Sequence, residues 1–214
     1  DSRLAEKVRY FLSESDFFSR DYEFARIQLR SLERRETSYF ANDALKLRIW
    51  IQQGLQADSA GKILHDFSDS IFELRTGNFE EAFRKFENIL KNPQHPLADN
   101  AIVELSSRVP APFLIALYPV LVTHIESNLY SPLRERMMWE RARIAKIIFN
   151  SEDSGNNQTI INSDFVIENN IKVDLNLSES DLIEFYEQLI LDFPNGFYAP
   201  FARQEILNLS EKNI

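Results

Sequence analysis

Three histidines, His65, His95 and His124, are the side chains best suited to metal or acid–base work here, and their spacing argues against it. A metal centre needs converging ligands, commonly two histidines one helical turn apart. These three stand far apart, with no i, i+4 pair. His95 lies in the turn Asn92-Pro93-Gln94-His95-Pro96 and is expected to be solvated. Acidic residues such as Glu80, Glu81 and Asp192 could supply a general acid and base. Nothing in their spacing separates them from a solvated helix face. The five glycines, Gly54, Gly61, Gly77, Gly155 and Gly196, are isolated, so no phosphate-cradling loop is present. The absence of cysteine excludes disulfides, thiolate metal ligands, a cysteine nucleophile and a lipoprotein anchor on this chain. The reading is of a protein without catalysis, metal or cofactor.

The basic residues admit two readings. Arg30, Arg34 and Arg35 cluster at a helix end, and Arg134, Arg136, Arg141 and Arg143 recur beside Glu135 and Glu140. Such patterns arise from helix-dipole compensation and from i, i+4 pairing. The alternative is a basic strip that grips an acidic partner segment, which makes Arg30, Arg34, Arg35, Arg134, Arg136 and Arg141 candidates for binding a protein or peptide. The net charge of -9 argues against nucleic acid or an anionic membrane as the main partner. The longest apolar run, Pro112 to Val122, is too short to span a bilayer and contains Pro119, so no membrane insertion by this chain is expected. The chain opens at Asp1, without Met or a signal peptide, and reads as a processed product or a fragment of something longer.

The elements that carry these residues are helices. Apolar residues recur at three and four throughout, and the prolines fall mostly between the periodic segments. The first helix spans 2–18, with Ser2 as its N-cap and Leu4, Val8, Phe11, Leu12 and Phe18 turned inward. The second spans 21–34 and carries Tyr22, Ala25, Leu29 and Leu32; the third spans 39–54, with Gly54 at its end. The fourth, 59–75, carries Ile63, Phe67, Ile71 and Leu74. Gly77-Asn78 is a tight turn before the fifth, 79–91. The sixth spans 97–107. The seventh reaches Ser127, kinked or divided at Pro119. Ser131-Pro132 opens the eighth, which ends near Phe149. Trp50 and Trp139 read as hairpin-packing residues in preference to exposed anchors.

Residues 150–178 break the pattern. Thr159-Ile160-Ile161, Phe165-Val166-Ile167 and Ile171 to Leu175 favour strands around Asn169-Asn170, so this insert is either a mobile loop or a small hairpin. Its apolar side chains are expected to pack back over 132–149 and 179–193 or to offer an edge to a partner. Ser178 to Asp181 has capping-box spacing. It opens a closing helical hairpin that turns at Pro194-Asn195-Gly196.

The hairpins repeat. Asp21-Tyr22-Glu23-Phe24-Ala25 parallels Asn78-Phe79-Glu80-Glu81-Ala82, and Phe86 to Leu90 parallels Tyr186 to Ile190. An alanine follows each break, at Ala44, Ala101 and Ala202, where two helix backbones can approach closely. Gly77 to Ala82 with Phe86 resembles the Gly-Asp-Tyr-x-x-Ala core of the tetratricopeptide-repeat family. Tyr186 to Arg203 resembles its degenerate bacterial cell-envelope form. The resemblance implies an all-α, right-handed superhelical stack of antiparallel helix hairpins, a TPR-like α-solenoid of about ten helices with one irregular insert. The array would cover 1–149, the insert 150–178 and the closing hairpin 179–214. Tyr22, Ala25, Phe79, Ala82, Phe86, Tyr186 and Ala202 would be its repeat-packing residues. The implied function is a non-enzymatic protein-binding scaffold, the terminal part of a larger periplasmic or cell-envelope protein. Alternatively, it is a structural module that stacks on further repeats, and an uncovered apolar face on residues 2–18 would mark a truncated array.

Overall fold

Turn chemistry sets where each helix stops. The computed structural model describes residues 2–33, 39–152 and 177–211, and among these it contains ten α-helices and no strand. They are α1 (Ser2–Phe18), α2 (Tyr22–Glu33), α3 (Ala41–Ala57), α4 (Lys62–Thr76), α5 (Phe79–Leu90), α6 (Ala98–Arg108), α7 (Ala111–Ser127), α8 (Arg134–Glu152), α9 (Glu179–Asp192) and α10 (Ala199–Glu211). The all-helical class expected from the periodicity is therefore observed. Nearly all of the 150–178 insert, including its strand-favouring pieces, lies outside the described residues, as do Arg34 and Arg35.

The chain divides into two compact units, Asp1–Ile89 with His95–Leu97, and Leu90–Gln94 with Ala98–Ile214. In the first unit α2 packs between α1 and α3, and α4 meets both α3 and α1. A chain of aromatic rings joins its helices: Phe17 touches Tyr22 and Trp50, Trp50 meets Phe67 edge-on at 5.2 Å, and Phe67 meets Phe86 at 5.8 Å. All five rings are buried. Such pairs add specific geometry to a large apolar area removed from water. In the second unit α8 is central, touching α6, α7 and α9, and α9 pairs with α10.

Four details differ from the sequence reading. In α1 the inward stripe is Tyr10, Ser13, Glu14 and Phe17, whereas Leu4, Val8, Phe11 and Leu12 are 60%, 49%, 48% and 55% exposed. The helix carries two stripes of the same period, and contacts decide between them. The Tyr10 hydroxyl donates to Glu14 (3.1 Å), Glu14 pairs with Arg75 of α4, and the Tyr10 ring stacks on Phe40 at 5.1 Å. Gly54 does not end α3; it sits inside the helix, where an added Cβ would stand 2.4 Å from Leu64 Cγ. The helix contains glycine because α4 lies against it there. Pro119 does not divide the seventh helix: it sits within α7, which runs on to Ser127. Finally, α8 begins at Arg134, because the Ser131 hydroxyl accepts the Leu133 N–H (3.1 Å) and holds a turn ahead of the helix. The capping box is present as expected: Ser178 N–H donates to Asp181 Oδ2 (2.7 Å) and the Ser178 hydroxyl accepts the Asp181 N–H.

Candidate functional site

The arginines of α8 reach neighbouring helices. Arg134 donates to the Ile125 carbonyl and pairs with Asp192 at 3.3 Å. Arg136 pairs with Glu140 at 2.6 Å and donates to Ser107 Oγ (3.3 Å) and to the Tyr198 hydroxyl. Arg143 pairs with the same Glu140 at 2.7 Å and donates to the Ser106 carbonyl (2.6 Å). Glu140 is buried between these two guanidinium groups. Arg141 is itself buried. It lies over the Phe185 ring at 4.5 Å and donates to Gln188 Oε1 (3.0 Å); burial pushes its pKa down. These four side chains join α8 to α6, α7 and α9, and to Tyr198 just ahead of α10. Arg30 is exposed at the end of α2.

The repeat-packing candidates behave as a set. Tyr22, Ala25, Ala82, Phe86, Tyr186 and Ala202 are buried, and Phe79 is half-buried. The two parallel turns share a backbone frame. Asp21 N–H donates to the Asp16 carbonyl (2.9 Å) and Asn78 N–H to the Glu73 carbonyl (3.0 Å), five residues back in each case. Ala25 N–H donates to the Asp21 carbonyl and Ala82 N–H to the Asn78 carbonyl, both at 3.0 Å. The residue ahead of each turn lies in the left-handed region: Arg20 at φ 70° and Gly77 at φ 84°. Trp50 is buried. Trp139 is half-buried against Tyr186, Tyr198 and Phe201.

The titratable groups are spent on structure. His124 is fully buried in the second unit. Its Nε2 stands 3.0 Å from the Leu90 carbonyl, which only accepts, so that nitrogen carries the proton. Its Nδ1 lies 3.6 Å from Asp99. Asn128 bridges the Pro93 carbonyl (2.8 Å) and Asp99 Oδ1 (3.1 Å). Burial raises the Asp99 pKa, but its polar neighbours His124, Ser131 and Asn128 outweigh it and hold the carboxyl below the usual range. His95, expected to be solvated, is half-buried, and its Nδ1 accepts the Leu97 N–H (3.2 Å). Burial, with Glu14 beside it, pushes the Tyr10 phenol up to about 12. Among the described residues, no three or more His, Asp or Glu side chains converge as metal ligands would, and no helix is long and apolar enough to cross a membrane.

A groove in the first unit is open to a ligand. Arg3, Leu4, Lys7, Tyr39 and Phe40 line about 540 Å³ between the start of α1 and the residues that lead into α3. Tyr39 is 70% exposed. The Arg3 guanidinium lies over the Tyr39 ring at 5.4 Å, and the Lys7 ammonium over Phe11 at 6.0 Å. Val8, Phe11 and Leu12 continue the apolar surface along α1. The sequence reading assigned these residues to the core. The signal that could have found the site is the second stripe, Tyr10 and Phe17, on the same helix. No protein-family model, curated protein or solved structure matches the chain.

Proposed function

We propose that this chain is a non-enzymatic protein-interaction scaffold, a TPR-like, right-handed stack of helical hairpins that receives a partner segment on the outward face of α1. The uncovered row Leu4, Val8, Phe11 and Leu12 carries this reading. Soluble proteins seldom leave so contiguous an apolar strip in water, and such strips mark interaction surfaces. The shared backbone frame of the Asp21 and Asn78 turns supports the repeat, and buried Ala44, Ala101 and Ala202 fit positions of close helix approach.

A panel of synthetic amphipathic helices, followed by fluorescence anisotropy, tests the reading. The parent protein is expected to retain members of the panel over scrambled controls. The Leu4→Ser/Phe11→Ser variant should lose them while melting with the parent, because both side chains are exposed. Equal binding by parent and variant would overturn the assignment of α1. The same uncovered row also supports a second reading, in which α1 is a stacking face for a further helical hairpin. Concentration-dependent self-association of the purified chain, lost in that variant, would favour it.

A further inference from the structure

His124 stands where three negative ends meet. It lies in the last turn of α7, and its Nε2–H donates to the carbonyl of Leu90, the last residue of α5. The carbonyl end of a helix carries partial negative charge and favours a cation. The third is Asp99, in the first turn of α6, whose Oδ1 is 3.6 Å from Nδ1. Nδ1 is buried and makes no hydrogen bond. With Nε2 committed as donor, a neutral ring turns the Nδ1 lone pair towards the Asp99 carboxylate, so two acceptors face each other out of water. A proton on Nδ1 turns that contact into a charge-assisted hydrogen bond. The other charged groups near this end of α7 are engaged elsewhere. Lys91, after α5, and Glu126, on α7, are exposed, and Arg134 of α8 donates to the Ile125 carbonyl and pairs with Asp192. From the 128–131 turn, the neutral side chains Asn128 and Ser131 meet Asp99.

We propose that His124 and Asp99 form a proton-operated latch on the segment between α5 and α6: a proton taken up at Nδ1 ties the start of α6 to the end of α7, and its loss frees the segment. Asn128 extends the latch, because it also donates to the Pro93 carbonyl (2.8 Å) and accepts from Gln94 (3.3 Å). The bond exists only while Nδ1 carries a proton and Asp99 does not. A contribution that needs the imidazole proton is present in acid and lost as the pH rises through the imidazole range, about 6.5 in a free side chain. One that needs the Asp99 charge is lost as the pH falls, and here only in stronger acid than usual, because that carboxyl titrates below the ordinary range. The latch therefore closes on mild acidification.

Nitrogen NMR of the full chain follows both ring nitrogens of His124, assigned with His124→Gln, and amide hydrogen exchange follows the backbone from Lys91 to Ala101. Both nitrogens should carry protons at about pH 5.5, and Nε2 alone at about pH 8. Amides of the segment should be about three- to tenfold better protected in the parent than in Asp99→Asn at the lower pH, and the gap should close at the higher one. His95, whose Nδ1 must stay unprotonated to accept from Leu97, is the same in both chains and drops out of the comparison. An Nδ1 without a proton at both pH values, or a protection gap that is the same at both, would overturn the latch. A proton retained at both would make the pair a fixed ion pair and overturn the switch. Circular dichroism checks the variant; if Asp99→Asn misfolds, the ring nitrogens of the parent decide alone.

Discussion

Arg20 and Gly77 hold the same left-handed backbone conformation, and only one of them does so without strain. An L-residue with a Cβ pays about 1–2 kcal/mol there. A Cβ added at Gly77 would meet nothing within 4 Å, so Gly77→Ala isolates the backbone penalty: it should cost about 1 kcal/mol in urea unfolding. Arg20→Gly should gain up to about 1 kcal/mol, since the Arg20–Asp69 pair it removes (3.2 Å) is half in water and worth little. Equal effects of either sign at both turns would break the parallel. The Asp21 and Asn78 turns themselves were legible, because a small polar residue, an aromatic and an alanine at fixed offsets are visible in the sequence. Arg20 was not, because nothing in a non-glycine residue announces a positive φ. His95 was misread for a related reason: its Pro-flanked turn looks solvated, yet burial depresses its pKa, with Asp66 opposing weakly, and its Nδ1 must stay unprotonated to accept from Leu97. The folded pKa therefore lies below the unfolded value of about 6.5, and below that pH the unfolded chain binds more protons. Stability attributable to His95 should be complete above about pH 7 and decline as the pH falls towards the folded value. A His95→Gln variant should show a flatter melting temperature than the parent between about pH 7 and 5.

Among the elements, helix existence followed from period and punctuation, while helix orientation did not. Both stripes of α1 have helical spacing, and the choice fell to Glu14, whose partner Arg75 is distant in sequence. Gly54 shows the same limit. A glycine near the end of a periodic run reads as a stop, but here Leu64 presses against its Cα side and the helix continues. Gly54→Ala should overpack this α3–α4 contact and cost about 1–3 kcal/mol. Leu64→Ala alone should cost about 2–5 kcal/mol. In the double variant the new methyl enters the space Leu64 leaves, so the two costs should add to less than their sum by about 1 kcal/mol or more in a double-mutant cycle. Strict additivity would mean that the glycine is there for another reason. On α8 the arginine pattern allowed both structural and binding roles. The structure gives each of these side chains a partner on a neighbouring helix or on its own.

For the whole molecule, the sequence conveyed a series of hairpins more readily than a division between two cores. The boundary falls at Leu90 to Leu97, in a turn whose residues are shared out between the units. Such sharing depends on long-range contacts, among them His124 on Leu90 and Asn128 on Pro93, which no local pattern encodes. Each unit has its own buried core, so each is expected to unfold with its own midpoint in urea. Phe67→Ala should weaken the first unit by about 3–5 kcal/mol and leave the midpoint of the second in place. A single transition that shifts as a whole would show that the two melt as one cooperative block. The chain is also built to report this optically. Its two tryptophans, Trp50 and Trp139, fall one to each unit, the first sealed in a ring of aromatics and the second partly open to water. Emission from Trp50 should be blue-shifted and closed to a dissolved quencher, and that from Trp139 redder and open to it. One unlabelled sample thus holds two colours, each following the loosening of the unit that contains it.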